Sequence, residues 1–162
     1  QSTFEIDVVI INSHGVFLLE IKNWVGWIEG DASHWQQVTT QHRHTSPLSS
    51  IDHKARLVHG LLSEKEPSLK QVSVVGFVVL VQGDWKLQLQ EQPTRAKRVF
   101  PLNKRLIQAL TGRDYLHSAR CIPLTGNHLK AISEQLCIKR IEPAKKIIGN
   151  YEITRELQAN HV

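Results

Sequence analysis

The chain has 162 residues, 41% hydrophobic and 22% charged, with a formal net charge of +5, which suits one globular domain with a sizeable core. Its longest apolar run, Val74 to Val81, is far too short to span a bilayer and nothing at Gln1 resembles a signal peptide, so a cytoplasmic location without a membrane partner is expected. Cys121 and Cys137 lack C-x-x-C spacing, which argues against zinc and for a reducing compartment. The basic balance favours a polyanionic partner.

Almost nothing precedes Glu5; with no initiating methionine, the chain is expected to be a piece of something longer. From Phe4, two β-branched runs, Glu5 to Ile11 and Val16 to Trp24, flank the turn-forming Asn12 Ser13 His14 Gly15. This reads as an antiparallel hairpin, apolar enough to be buried on both faces. If Asn12 to Gly15 form the loop, Ile11 faces Val16, Asp7 faces Glu20 and Glu5 faces Lys22. Opposed side chains on one face stand about 4.5–5.5 Å apart at Cβ, and alternation puts Glu20 and Lys22 on that same face. Two carboxylates so close repel unless a proton or cation intervenes. Mg²⁺ or Mn²⁺ resolves that conflict with one or two carboxylates, keeping positions for water and phosphate. A solvated face would be polar at Val9, Ile11, Val16 and Leu18, and it is not.

Downstream, Gly26 to Asp31 and His34 to Val38 read as short strands joined at Gly30 Asp31. Trp24, Trp27 and Trp35 are expected to pack rather than stack on bases. His34, His42, His44, His53 and His59 lack the closed four-ligand spacing of structural zinc and read as surface or phosphate-contacting residues. Ser46 Pro47 opens a helix with Ser46 as N-cap and a stripe at Leu48, Ile51, Ala55, Val58 and Leu62. Lys54 sits at the margin of that stripe, on a solvated flank or in contact with a nucleic-acid strand. A polar loop at Glu64 to Ser68, a buried strand from Val72 to Val81 and an alternating edge strand from Trp85 to Gln90 follow. Strand, helix and second buried strand predict α/β layering. Arg95, Lys97 and Arg98 form the densest basic patch, read either as phosphate contacts or as a solvated charge run. Two covering helices come next: one capped by Asn103 with Leu106, Ile107 and Leu110 inward, and one after Thr125 with Leu129, Ile132 and Leu136 inward. From Lys139 the pattern loosens into a basic linker.

Asp7 followed by Glu20 Ile21 Lys22 matches the D…(D/E)xK signature of the PD-(D/E)xK phosphodiesterase superfamily. The text from Glu5 through Asn23, Trp24 and Gly26 closely resembles its nuclease-related domain (NERD) branch. The resemblance implies a restriction-endonuclease-like α/β core, a mixed central β-sheet flanked by helices, here without the family's N-terminal helix and its acidic residue. It implies a metal-dependent nuclease in which Asp7, Glu20 and Lys22 are catalytic. Asp7, Glu20 and the Ile21 carbonyl would hold Mg²⁺ or Mn²⁺, with Glu5 auxiliary. Lys54, Arg95, Lys97 and Arg98 are the candidate contacts to nucleic acid, expected to be DNA. The alternative is a catalytically inactive nucleic-acid-binding or scaffold domain; in the family a helix glutamine often follows the proline, and here that place falls near Ser50. The tail Ile148 to Leu157 resembles the opening strand of a protein kinase domain, giving a nuclease-related domain at 1–138 and a linker at 139–162 leading into a further domain.

Overall fold

The computed structural model describes residues 4–90, 92–112, 115 and 123–138. The linker and kinase-like tail from 139 onward, Cys121 and the side chain of Cys137 lie outside the described residues. In chain order come β1 (Val8–Asn12), β2 (Gly15–Lys22), β3 (Gly26–Asp31), β4 (His34–Gln37) and β5 (Arg43–Thr45). Then follow α1 (Pro47–Lys65), a 3-10 helix (Pro67–Gln71), β6 (Val74–Leu80), β7 (Trp85–Gln90), α2 (Pro93–Ala96), β8 (Val99–Pro101), α3 (Lys104–Thr111) and α4 (Gly126–Ile138).

The first sheet has the order β1-β2-β6-β8, with β1 antiparallel to β2 and the other two pairs parallel. The hairpin register is the expected one, Ile11 facing Val16 and Val8 facing Leu19. β2 and β6 are covered on both faces because their side chains are apolar at every position from Val16 to Leu19 and, Gly76 aside, from Val74 to Leu80. β1 departs from the expectation of burial on both faces: among the described residues it pairs only with β2, and Val9 stays 39% exposed.

Alternation divides the core in two. Val16, Leu18, Val74 and Val78 pack under α1, whereas Phe17, Leu19, Val75, Phe77 and Val79 meet Phe100, Leu106, Ala109 and Leu110 on the opposite face. α1 starts where Ser46 and Pro47 place it: the Ser46 side chain accepts a hydrogen bond from the Ser49 N–H at 3.3 Å. The predicted stripe is its buried face. The helix lies so close to β6 that a Cβ at Gly76 would stand 2.7 Å from Ile51 Cγ1. Glycine is required there for close approach, not for its φ range.

The second sheet, β5-β4-β3-β7, continues the first. β2 and β6 run parallel with Lys22 beside Leu80, and β3 and β7 run parallel with Gly26 beside Trp85. The register offset is 80 − 22 = 58 in one sheet and 85 − 26 = 59 in the other. Both chains therefore cross together, with one extra residue in the Val81–Asp84 link. Gly26, at φ +75°, makes the turn on its side and donates its N–H to the Asp84 carbonyl at 2.7 Å. A Gln82 to Asn23 hydrogen bond of 2.6 Å ties the crossing.

Three local expectations are displaced. The β3–β4 turn falls on Ala32 and Ser33, held by Asp31 Oδ1, which accepts from the Ser33 and His34 N–H groups at 2.7 and 2.9 Å, while Gly30 lies within the strand facing Trp35. The polar loop at Glu64 to Ser68 is instead the last turn of α1 and the first of a 3-10 helix, because the Glu66 side chain caps the latter and Pro67 opens it. In α3, Ile107 is 59% exposed and Ala109 takes the inward place, one residue step turning a side chain 100° away from Leu106. Trp85 to Gln90 alternates at the sheet edge as expected, and Ile132 is fully buried with Leu129 and Leu136 packed on the same core.

Candidate active site

The charges of the hairpin gather at the carboxyl end of β2, where the chain leaves the first sheet. Glu20 follows Val16 and Leu18 on the α1 face and is only 7% exposed. Lys22, one pleat on, places its Nζ 2.7 Å from Glu20 Oε1, and Lys54 brings its Nζ from α1 to 2.6 Å from Oε2. Burial pushes the Glu20 carboxyl up, but the hydrogen bonds and charges of Lys22 and Lys54 outweigh it and hold the group below the usual glutamate range.

Asp7 stands one residue before β1. Continuing the register puts it opposite Glu20, and its Oδ2 accepts a 2.6 Å hydrogen bond from the Ile21 N–H. In a strand a residue's C=O leaves on the same side as its N–H, so the Ile21 carbonyl faces the edge that Asp7 occupies. Two carboxylates and one carbonyl are hard oxygen donors of the kind Mg²⁺ or Mn²⁺ prefers. The Lys54 ammonium already stands as a positive charge against Oε2. Among the described residues no cluster of three or more His, Cys, Asp or Glu could hold a metal, so remaining positions would fall to water or phosphate.

Glu5 does not meet Lys22. Ladder pairing stops at Val8, leaving Glu5 exposed and Lys22 to bond Glu20 on its own strand. Lys54 is not on a solvated flank: its side chain is 14% exposed and engaged with Glu20. Its place three residues after Ile51 and four before Val58 marks it as bordering the buried stripe, a signal for an inward-reaching lysine.

The basic patch divides. Arg98, 6% exposed, grips Asp52 with two bonds of 2.6 and 3.0 Å and donates to the Gly76 carbonyl at 3.2 Å. Arg95 reaches Asp52 at 3.0 Å and Ser49 Oγ at 3.1 Å. Burial raises the Asp52 carboxyl, but Arg98 and then Arg95 prevail and hold it below the usual aspartate range. The predicted loop is the short α2, opened by Pro93. Lys97 alone of the three is exposed. These arginines line a cleft of about 840 Å³ on the opposite flank of α1 from Lys54, together with Arg56, His59 and Lys70.

Trp35 is fully buried and Trp24 packs beside it, stacked on His44 at 4.7 Å, while Trp27 is 47% exposed. No helix among the described residues is long and apolar enough to cross a membrane.

Mixed sheets covered by helices, with acids and a lysine at the end of a central strand, define a restriction-endonuclease-like α/β protein of nuclease-related type. The family model described as "Nuclease-related domain" matches residues 1–81, half of the chain, and the chain belongs to that family. It is 23% identical over 155 residues to a protein of Streptomyces coelicolor named "Probable kinase PglW". The match covers 94% of this chain and spans 10% of that relative. No solved structure matches.

Proposed function

We propose that this chain is a metal-dependent nuclease module that hydrolyses phosphodiester bonds in DNA. The observation that carries the reading is the joining of Asp7 to the Ile21 N–H at 2.6 Å, which sets one acid beside the backbone of the residue that follows buried Glu20. Asp7, Glu20 and the Ile21 carbonyl would hold Mg²⁺ or Mn²⁺, with Glu5 close enough in sequence to extend the shell. When bound, such an ion acidifies a coordinated water and offsets charge on the scissile phosphate. Lys22 would orient that water and stabilise charge gathering on the phosphate oxygens, a role suited to a fixed cation in a part-buried site. For DNA contact, Lys97 offers an exposed charge and Lys54 one at the site. Arg95 and Arg98 would act from the cleft wall, where both are tied to Asp52.

In the full-length protein, Asp7→Ala and Lys22→Ala should each abolish Mn²⁺-dependent DNA cleavage while leaving the fold intact by circular dichroism. Undiminished cleavage by both variants refutes the assignment. A second reading, an inactive nucleic-acid-binding or scaffold domain, draws support from the two ammoniums that already neutralise Glu20. Salt-dependent DNA binding without any turnover would favour it. We place the nuclease-related unit at 1–138 and a linker at 139–162, before a further domain, in a cytoplasmic protein. The kinase-like text at 148–157 and the name of the Streptomyces coelicolor relative support a kinase as that domain.

A further inference from the structure

We propose that Lys54 is the ammonium a divalent cation must displace from Glu20, so that this helix residue sets how tightly the site takes up an ion. The proposal rests on the reading of Asp7 and Glu20 as an ion-binding pair. Both oxygens of Glu20 are taken, Oε1 by Lys22 and Oε2 by Lys54, at 2.7 and 2.6 Å. Asp7 spends only Oδ2, on the Ile21 N–H. The limit on ion entry therefore lies at the glutamate. Lys22 holds the other oxygen, Oε1, from two residues on along the same strand and the same face. Lys54 reaches Glu20 from 34 positions away on a flexible four-carbon stem, and its departure frees Oε2 while Lys22 stays in place. A carboxylate needs one positive charge to be neutralised and here has two; the second is exchangeable for a metal without stranding the glutamate. The freed ammonium would stand beside the ion as a phosphate contact.

The test is calorimetric titration of the full-length protein with MnCl₂ alone, joined to amine acetylation read by mass spectrometry. Lys54→Met should bind Mn²⁺ about tenfold more tightly than wild type, an effect of about 1.4 kcal/mol. Lys54→Arg, which keeps the charge and can grip the carboxylate with two N–H groups, should bind Mn²⁺ no more tightly than wild type. Arg56→Met removes the same unit charge from the far flank of α1 and should stay within about twofold, because exposed charges are screened. In wild type, Mn²⁺ should raise the acetylation rate of Lys54 several-fold; this arm decides the matter should Lys54→Met fail to fold. Equal or weaker Mn²⁺ binding by a folded Lys54→Met, or unchanged labelling of Lys54 in protein that binds Mn²⁺, overturns the proposal alone. Absence of Mn²⁺ binding by wild type, or binding unaffected by Glu20→Gln, overturns the site reading and the proposal together.

Discussion

Replacing Asp52 by asparagine keeps the shape of the α1 side chain and removes the charge that two arginines share. The Arg98 side chain is 8% exposed and that of Asp52 22%, so the change leaves a guanidinium desolvated and only weakly partnered. Breaking a fully buried pair from one side costs about 3–5 kcal/mol. The partial exposure of Asp52 and the surviving bond from Arg98 to the Gly76 carbonyl reduce this to about 2–3 kcal/mol. For a chain of this size the loss lowers Tm by about 5–10 °C. The pH dependence has a definite sign. The folded carboxyl titrates below the unfolded one, so the unfolded state binds more protons in the acid range. The contribution is complete above about pH 5 and fades as pH falls through the lowered folded value. Urea denaturation of wild type and Asp52→Asn between pH 3 and pH 7 reads both effects. A difference below about 0.5 kcal/mol at pH 7, the range of ordinary surface substitutions, refutes the reasoning.

Other outcomes follow from the packing of α1. Gly76→Ala forces a methyl against Ile51, with Cγ1 2.7 Å and Cγ2 2.8 Å from the ideal Cβ position, and should cost about 1–3 kcal/mol by urea denaturation. Ser46→Ala removes the side-chain cap of the same helix and should cost about 1 kcal/mol.

Local periodicity carried far in this chain. The turn-forming Asn12 to Gly15 set the hairpin register, and the spacing of Leu48, Ile51, Ala55, Val58 and Leu62 marked the face that α1 lays on the sheet. The alternation of Trp85 to Gln90 marked a half-exposed edge. What escaped depends on which elements meet. Lys54 joins Glu20 across 34 positions and Arg98 joins Asp52 across 46, and no short window contains both members of either pair. The edge position of β1 was hidden for a related reason: an apolar strand reads the same whether it has one neighbour or two. Division of the strands into two sheets turns on the one-residue change in register at the Val81–Asp84 crossing, which pattern alone does not show.

Crystals of the protein soaked in Mn²⁺ and measured at the manganese absorption edge would test the central claim most directly. The account predicts one anomalous peak within bonding distance of carboxylate oxygens of both Asp7 and Glu20, with the Ile21 carbonyl in the coordination shell and Lys54 turned away. Manganese bound only elsewhere, or Glu20 still closed between Lys22 and Lys54 in saturating ion, would contradict it.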